Sequence, residues 1–158
     1  ISIIKIESKK IHFHARFNAK RRTYEYLIIN RPSLLSIDRG KAWHVKKKKN
    51  MNILKKGGKL LKGTHDFSTF RASSCTAKSP IKKIDSVVIK KNKEKIYIKF
   101  ISKSFLQTQV RSMVGSLKYL STGKWSVSDF KNAMRSKNRA NCAPPAPAEG
   151  LYLVDVKY

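Results

Sequence analysis

Acidic side chains are scarce in this sequence. Nine Asp and Glu stand against 36 Lys and Arg among 158 residues, for a formal net charge of +27 and a pI near 10.4. That imbalance points to a polyanionic partner, with nucleic acid the first class to consider. A genome biased towards A and T would by itself supply Lys and Ile, and 27 of the basic residues are Lys. Such a bias explains much of the lysine surplus but not the shortage of acids. Cysteine is scarce too. Cys75 and Cys142 can build neither a disulfide framework nor a thiolate metal cluster, and no Cys-x-x-Cys or His-x-x-x-His spacing occurs. Two unpaired thiols fit a reduced, intracellular and hence cytoplasmic protein. No apolar run approaches the ~20 residues of a membrane span, and no signal-peptide pattern opens the chain. An initiator Met is missing as well. The chain begins inside the strand-like run Ile1-Ser2-Ile3-Ile4-Lys5-Ile6, so its natural N-terminus is expected further upstream.

What is present suffices for one folded domain. The hydrophobic fraction of 41% is that of a globular chain. Residues 23–29 (TYEYLII) are aromatic and β-branched and predict a strand, ended by Asn30-Arg31-Pro32-Ser33. Residues 52–61 predict a helix, weakened by Gly57-Gly58 at roughly 1 kcal/mol per Gly. Residues 84–90 and 94–101 predict two strands joined as a hairpin through Lys91-Asn92-Lys93. Residues 104–119 give the clearest helix, with Leu106, Val110, Met113, Leu117 and Leu120 on one stripe and Ser104 as N-cap. Residues 128–136 form a further helix, Ala143-Pro144-Pro145-Ala146-Pro147 a stiff extended segment, and residues 151–158 a closing strand. The order β-α-β-β-α-(α)-β predicts an α+β fold. It is the ferredoxin-like βαββαβ pattern, an antiparallel sheet with helices on one face and one helix added. The RNA-recognition motif shares that topology, but no RNP-type aromatic signature is present.

Four segments carry a more specific signal. They are Phe13-His14-Ala15-Arg16-Phe17-Asn18-Ala19 with Arg22-Thr23-Tyr24-Glu25-Tyr26; Gly63-Thr64-His65-Asp66-Phe67-Ser68-Thr69-Phe70-Arg71-Ala72; Ser104-Phe105-Leu106 with Gln109-Val110-Arg111-Ser112-Met113-Val114-Gly115-Ser116-Leu117; and Ala146-Pro147-Ala148-Glu149-Gly150-Leu151-Tyr152-Leu153. In this order and spacing they resemble the C-terminal half of the tRNA pseudouridine synthase A (TruA) family. The resemblance runs from about Phe13 to Tyr158. It implies an isomerase that converts uridines at positions 38 to 40 of the tRNA anticodon arm to pseudouridine. It also implies no cofactor, no metal, tRNA as partner and a homodimer. The family's attacking Asp sits in an Arg-Thr-Asp-x-Gly-x-His motif that this sequence does not contain. Residues 1–158 therefore resemble the C-terminal α/β domain, with the N-terminal domain and its nucleophile outside the chain.

The resemblance assigns roles residue by residue. Tyr24 matches the Tyr that packs on the target base, since an extruded base needs a flat partner to replace lost stacking; by itself a strand Tyr reads as core. Tyr26, two residues on and on the same face, is expected to share that environment. Arg111 matches the Arg that pairs with the catalytic carboxylate, a task suited to a bidentate guanidinium; its plain reading is a surface Arg at the edge of a packed stripe. Leu151 matches an apolar pocket residue and reads equally well as an ordinary strand Leu. Arg16 and Arg71 lie in the quoted segments as phosphate contacts or structural ion-pair partners. Asp66 reads as a turn or cap residue rather than a nucleophile. His12, His14 and His65 lack the spacing of a zinc site. The run Lys46-Lys47-Lys48-Lys49 is either a phosphate patch or a solvated loop. Gln107-Thr108-Gln109 departs from the family, which often carries His there. The rival functional reading is a non-catalytic basic tRNA- or RNA-binding module. A ribosomal-type basic protein would explain the charge but not the four segments.

Overall fold

Strand β1 (Arg21–Ile29) organises the fold. The computed structural model describes residues 2–158, and in it β1 lies inside a five-stranded sheet. On one flank it pairs antiparallel with β6 (Lys95–Ser102), which pairs in turn with β5 (Ser86–Asn92). On the other flank it pairs antiparallel with β7 (Leu151–Lys157) and, at Ile28 and Ile29, parallel with the short β2 (Trp43–His44). The sheet is thus mixed, where a wholly antiparallel one was expected. The parallel pair arises because the chain after β1 loops back before re-entering beside it. Asn30 pins that return: its Nδ2 donates to the carbonyls of Val45 (2.7 Å) and Lys47 (3.0 Å), and its Oδ1 accepts from the Lys49 N–H.

Helix α1 (Met51–Leu61) lies against β5 and packs on α2 (Gln109–Ser121), and α3 (Val127–Arg135) packs on both helices. Along β6 the side chains of Ile96, Ile98 and Phe100 are buried, while the intervening Lys95, Tyr97 and Lys99 are only half-buried. This two-residue period separates a packed face from a wet one. The core joins Tyr26, Ile28, Ile98 and Phe100 from the sheet to Leu54, Met113, Leu117 and Phe130 from the helices. Asn50 caps α1 by accepting from the N–H groups of Asn52 and Ile53. Gly57 marks the crossing of α1 over α2, where a Cβ would lie 2.6 Å from a Leu120 methyl and 2.7 Å from one of Leu117. Its low helix propensity is thus the cost of close packing. Ser126 and Asp129 form a capping box at the start of α3.

Three expectations need correction. The strand expected over residues 84–90 is divided. Ile84 ends β4 (Ile81–Ile84), which pairs with β3 (Gly63–Asp66) in a separate two-stranded sheet, and Asp85 separates it from β5. Helix α2 starts at Gln109 rather than Ser104. Thr108 takes the left-handed conformation (φ 63°) and interrupts the helical path, so Leu106 joins the buried stripe from outside the helix. The hydroxyl of Ser102, not a Ser104 cap, organises this entry by accepting from the Ser104 N–H. Residues 2–6 form no strand, and Ile3, Ile4 and Ile6 are exposed; Ile1 lies outside the described residues. Among the described residues, no helix is long and apolar enough to cross a membrane.

Candidate active site

The entry to α2, the middle of β1 and the first residue of β7 meet at an open cleft of about 460 Å³. Tyr24, Arg111, Leu151 and Arg16 all line it. These were singled out from three of the four segments, and the fold brings them to one place. Tyr24 is half-buried on the helix-facing side of β1, and the ring of Phe105 stands edge-on to it at 5.2 Å. That contact fixes one edge of the tyrosine and leaves an aromatic surface in the cleft. Tyr26 does not share the environment expected for it. It is fully buried, its hydroxyl donates to the Pro147 carbonyl at 2.6 Å, and burial pushes its phenol far above the ordinary range against the pull of nearby Arg111. Tyr26 is an anchor for the 143–147 segment rather than part of the cleft.

The same segment aims Arg111. Arg111 Nε donates to the Ala146 carbonyl at 2.7 Å, and the Ala146 N–H donates to the Arg111 carbonyl at 2.9 Å. The two strands of contact require the segment to lie on α2 itself. Gly115 permits this, because a Cβ there would fall 2.0 Å from the Pro144 carbonyl oxygen. With Nε committed, the two terminal nitrogens of Arg111 remain, and no ion pair of Arg111 occurs among the described residues. A guanidinium held by its inner nitrogen with its outer fork free is suited to a bidentate carboxylate.

A second cleft of about 460 Å³ adjoins the first and shares Arg16, Tyr24 and Phe105 with it. Its wall adds Arg22, Lys82 and Lys103. Arg22 donates to the carbonyls of Lys103 and Arg16, so it ties the exposed Arg16 turn to the end of β6. Sequence reasoning did not single out Arg22, although it stands inside a quoted segment. Phe105 and Gln109 were also quoted without a role. Only a tertiary contact distinguishes them, so no local pattern could have revealed it.

The structure does not place Arg71 in the cleft. Its Nη2 donates to the Cys75 carbonyl at 3.0 Å, and the neighbouring Ala72 N–H donates to the Gln107 carbonyl. Arg71 thus shapes the 71–75 turn that leans on the cleft's rim. Asp66 accepts from the Ser68 N–H at 2.9 Å, as a turn residue does. Burial would raise its carboxyl, but hydrogen bonds from Ser68 and the charges of Lys137 and Arg71 hold it below the usual carboxylate range. It lines a different cleft with His65 and Lys131. Among the described residues, no three His, Cys, Asp or Glu side chains cluster in a metal-binding arrangement. The lysine run divides: Lys46, Lys47 and Lys48 are exposed, while Lys49 is buried against Trp43 and Ser121.

The cleft combines an aromatic platform, a free guanidinium fork and a basic annex. Comparison with known proteins identifies the class. A family profile described as tRNA pseudouridine synthase matches residues 58–158, and the chain belongs to that family. The chain is 55% identical, over its full 158 residues, to the tRNA pseudouridine synthase A of Pelagibacter ubique (strain HTCC1062). It is 42% identical over the same span to those of Maricaulis maris (strain MCS10) and Caulobacter vibrioides (strain NA1000 / CB15N). In each case the chain spans 64% of the relative's length.

Proposed function

We propose that this chain is the RNA-gripping portion of a tRNA pseudouridine synthase that isomerises uridines 38 to 40 of the anticodon arm. The net change breaks the bond from N1 of the base to C1′ of the ribose and forms one from C5 to C1′. A proton leaves C5 and one is gained at N1, so no redox partner is consumed. Tyr24 stacks on the target base, Leu151 bounds its pocket, and Arg111 orients the attacking carboxylate. That carboxylate is an Asp of a preceding domain. Arg16 and the adjoining basic cleft take RNA phosphates. The strand order around β1 is read as the ferredoxin-like frame, with β2 and the β3–β4 pair as additions. The working protein is a cytoplasmic homodimer, acts on tRNA and needs neither metal nor cofactor.

The observation that carries this reading is the Arg111 fork, held at Nε beside an aromatic platform and left without a carboxylate among the described residues. Covalent catalysis needs a nucleophile, and Glu25, Asp66 and Glu149 are not in this cleft. Glu25 instead pairs with Lys99. Tritium release from uridine-labelled tRNA tests the reading. Residues 1–158 alone should bind tRNA without turnover, and the longer protein carrying the Arg-Thr-Asp motif should turn over. Turnover by the 158-residue chain would place the nucleophile within it, and inactivity of the longer protein would favour a binding module.

A further inference from the structure

Gln109 opens α2 and is fully buried in the wall of the Tyr24 cleft. Its amide has a fixed sense. Oε1 accepts from the Leu106 N–H at 2.7 Å, a contact that only the oxygen can make. The nitrogen is therefore at the opposite corner, and Nε2 has no hydrogen-bond partner. Among the described residues it is the one buried side-chain nitrogen or oxygen of which this is true. Buried polar groups are nearly always paired, so an unmet donor calls for a physical account. Here the residue lines the same cleft as Tyr24, Arg111 and Leu151, with Nε2 itself covered in the free fold. The preceding residue adds to the case. Thr108, β-branched, is held at φ 63°, a conformation that such a residue adopts only under constraint.

We propose that Gln109 is a specificity-determining residue whose Nε2 donates a hydrogen bond to a ring carbonyl of the target uracil, meeting one carbonyl in the substrate and the other in the product. The argument rests on the isomerase reading above and on the symmetry of the base. Turning uracil about its N3–C6 axis exchanges N1 with C5, which is the change the reaction makes. The same turn exchanges the C2 and C4 carbonyls. One donor fixed in the wall therefore finds an acceptor before and after the turn. Between those states the base is severed from the ribose, and the hydrogen bond together with the Tyr24 surface keeps it in the cleft. Where the carbonyl met in the substrate is C4, the donor also selects the base, because cytosine presents an amino group there. In the free fold the unmet donor is a standing cost that an occupant with an acceptor removes. Because Nε2 is covered in the free fold, the occupant must displace what covers it, and Gln107 and Arg16 lie exposed at the rim.

The test uses the full-length protein and three synthetic tRNAs, with uridine, 2-thiouridine or 4-thiouridine at the target position. Sulfur is a weaker acceptor than oxygen, so each thio substitution should lower wild-type kcat/KM by about fivefold to tenfold. Gln109→Met should show a loss of that size on the unmodified tRNA and no further loss on either thio-tRNA. Gln109→Glu retains the acceptor for Leu106 and removes the donor, so it should lose the same thio sensitivity. Its thermal unfolding checks that the fold is intact. Thio effects that persist at full size in both variants would overturn the proposal. So would a wild-type enzyme that turns over all three tRNAs equally. Failure of wild-type turnover on unmodified tRNA would instead overturn the isomerase reading, and this proposal with it.

Discussion

Arg111 and Ala146 are joined twice, once through the Arg111 side chain and once through its main chain. The guanidinium is thereby aimed by a segment 35 residues away in sequence.

A first prediction follows from that pairing. In the full-length protein Arg111→Lys keeps the charge but loses both the Nε bond to Ala146 and the planar fork. Turnover should fall by about 10²-fold, the loss typical of a misplaced electrostatic group in a transition state. tRNA affinity should change little. Single-turnover rates and a filter-binding titration, measured together, separate the two effects. Equal losses in both would make Arg111 a binding residue.

Gly115→Ala should be far more harmful than its size suggests. The added methyl would meet a backbone oxygen rather than a yielding side chain. The 143–147 segment must then lift from α2, at a cost of about 1–3 kcal/mol or more. Thermal unfolding should show the loss as a lower Tm. Turnover should drop beyond what the unfolded fraction explains, because Arg111 loses its anchor.

Lys49 predicts an unusual dependence on pH. Burial, with a smaller contribution from the charge of Lys118, pulls its amine down to about 7 from an ordinary value of 10.5. The unfolded chain therefore holds more protons between about pH 7 and 10.5, and stability from this group rises with pH across that window. Below about pH 7 the folded state carries a buried charge and the stabilisation is absent. Lys49→Met should remove the slope and stabilise the protein at pH 6 by ~1–3 kcal/mol. Urea melts of both forms at pH 6 and pH 9 decide it; parallel curves would mean that Lys49 is hydrated.

Binding to tRNA should be dominated by charge. With six or more phosphates neutralised, affinity should fall roughly a thousandfold between about 50 and 200 mM salt. Structured tRNA should compete better than a single strand of equal length. Affinity indifferent to salt would count against the basic clefts as the RNA surface.

How much of this was legible beforehand depended on whether the signal was local. β1, α1, α3 and β7 were found because residue type and spacing lie within the element, whereas their caps Asn50 and Ser126, which bond N–H groups two or three residues on, were not singled out. β2 is two residues long and exists only through its pairing with Ile28 and Ile29, so no periodicity could reveal it. The start of α2 was misplaced because Leu106 continues the apolar stripe while Thr108 breaks the backbone path. Burial pattern and helical geometry part company there. At the site, Tyr24, Arg111, Leu151 and Arg16 were reached through resemblance, whereas the free Nε2 of Gln109 is visible only once Leu106 has claimed the oxygen. Lys49 looked like its three neighbours because burial of one lysine in four is decided by Trp43 and Ser121.

The 143–147 segment has a consequence for the timing of events. Its three prolines restrict the chain before folding begins, so little freedom is left to lose when it docks. Tyr26 holds its last residue, Pro147, and Arg111 holds the one before it, Ala146. Arg111 is accordingly oriented at the moment the protein folds rather than when RNA arrives. On heating, a spectroscopic probe beside Arg111 should report no early melting. Its transition should coincide with that of the whole domain, which makes the site as durable as the core beneath it.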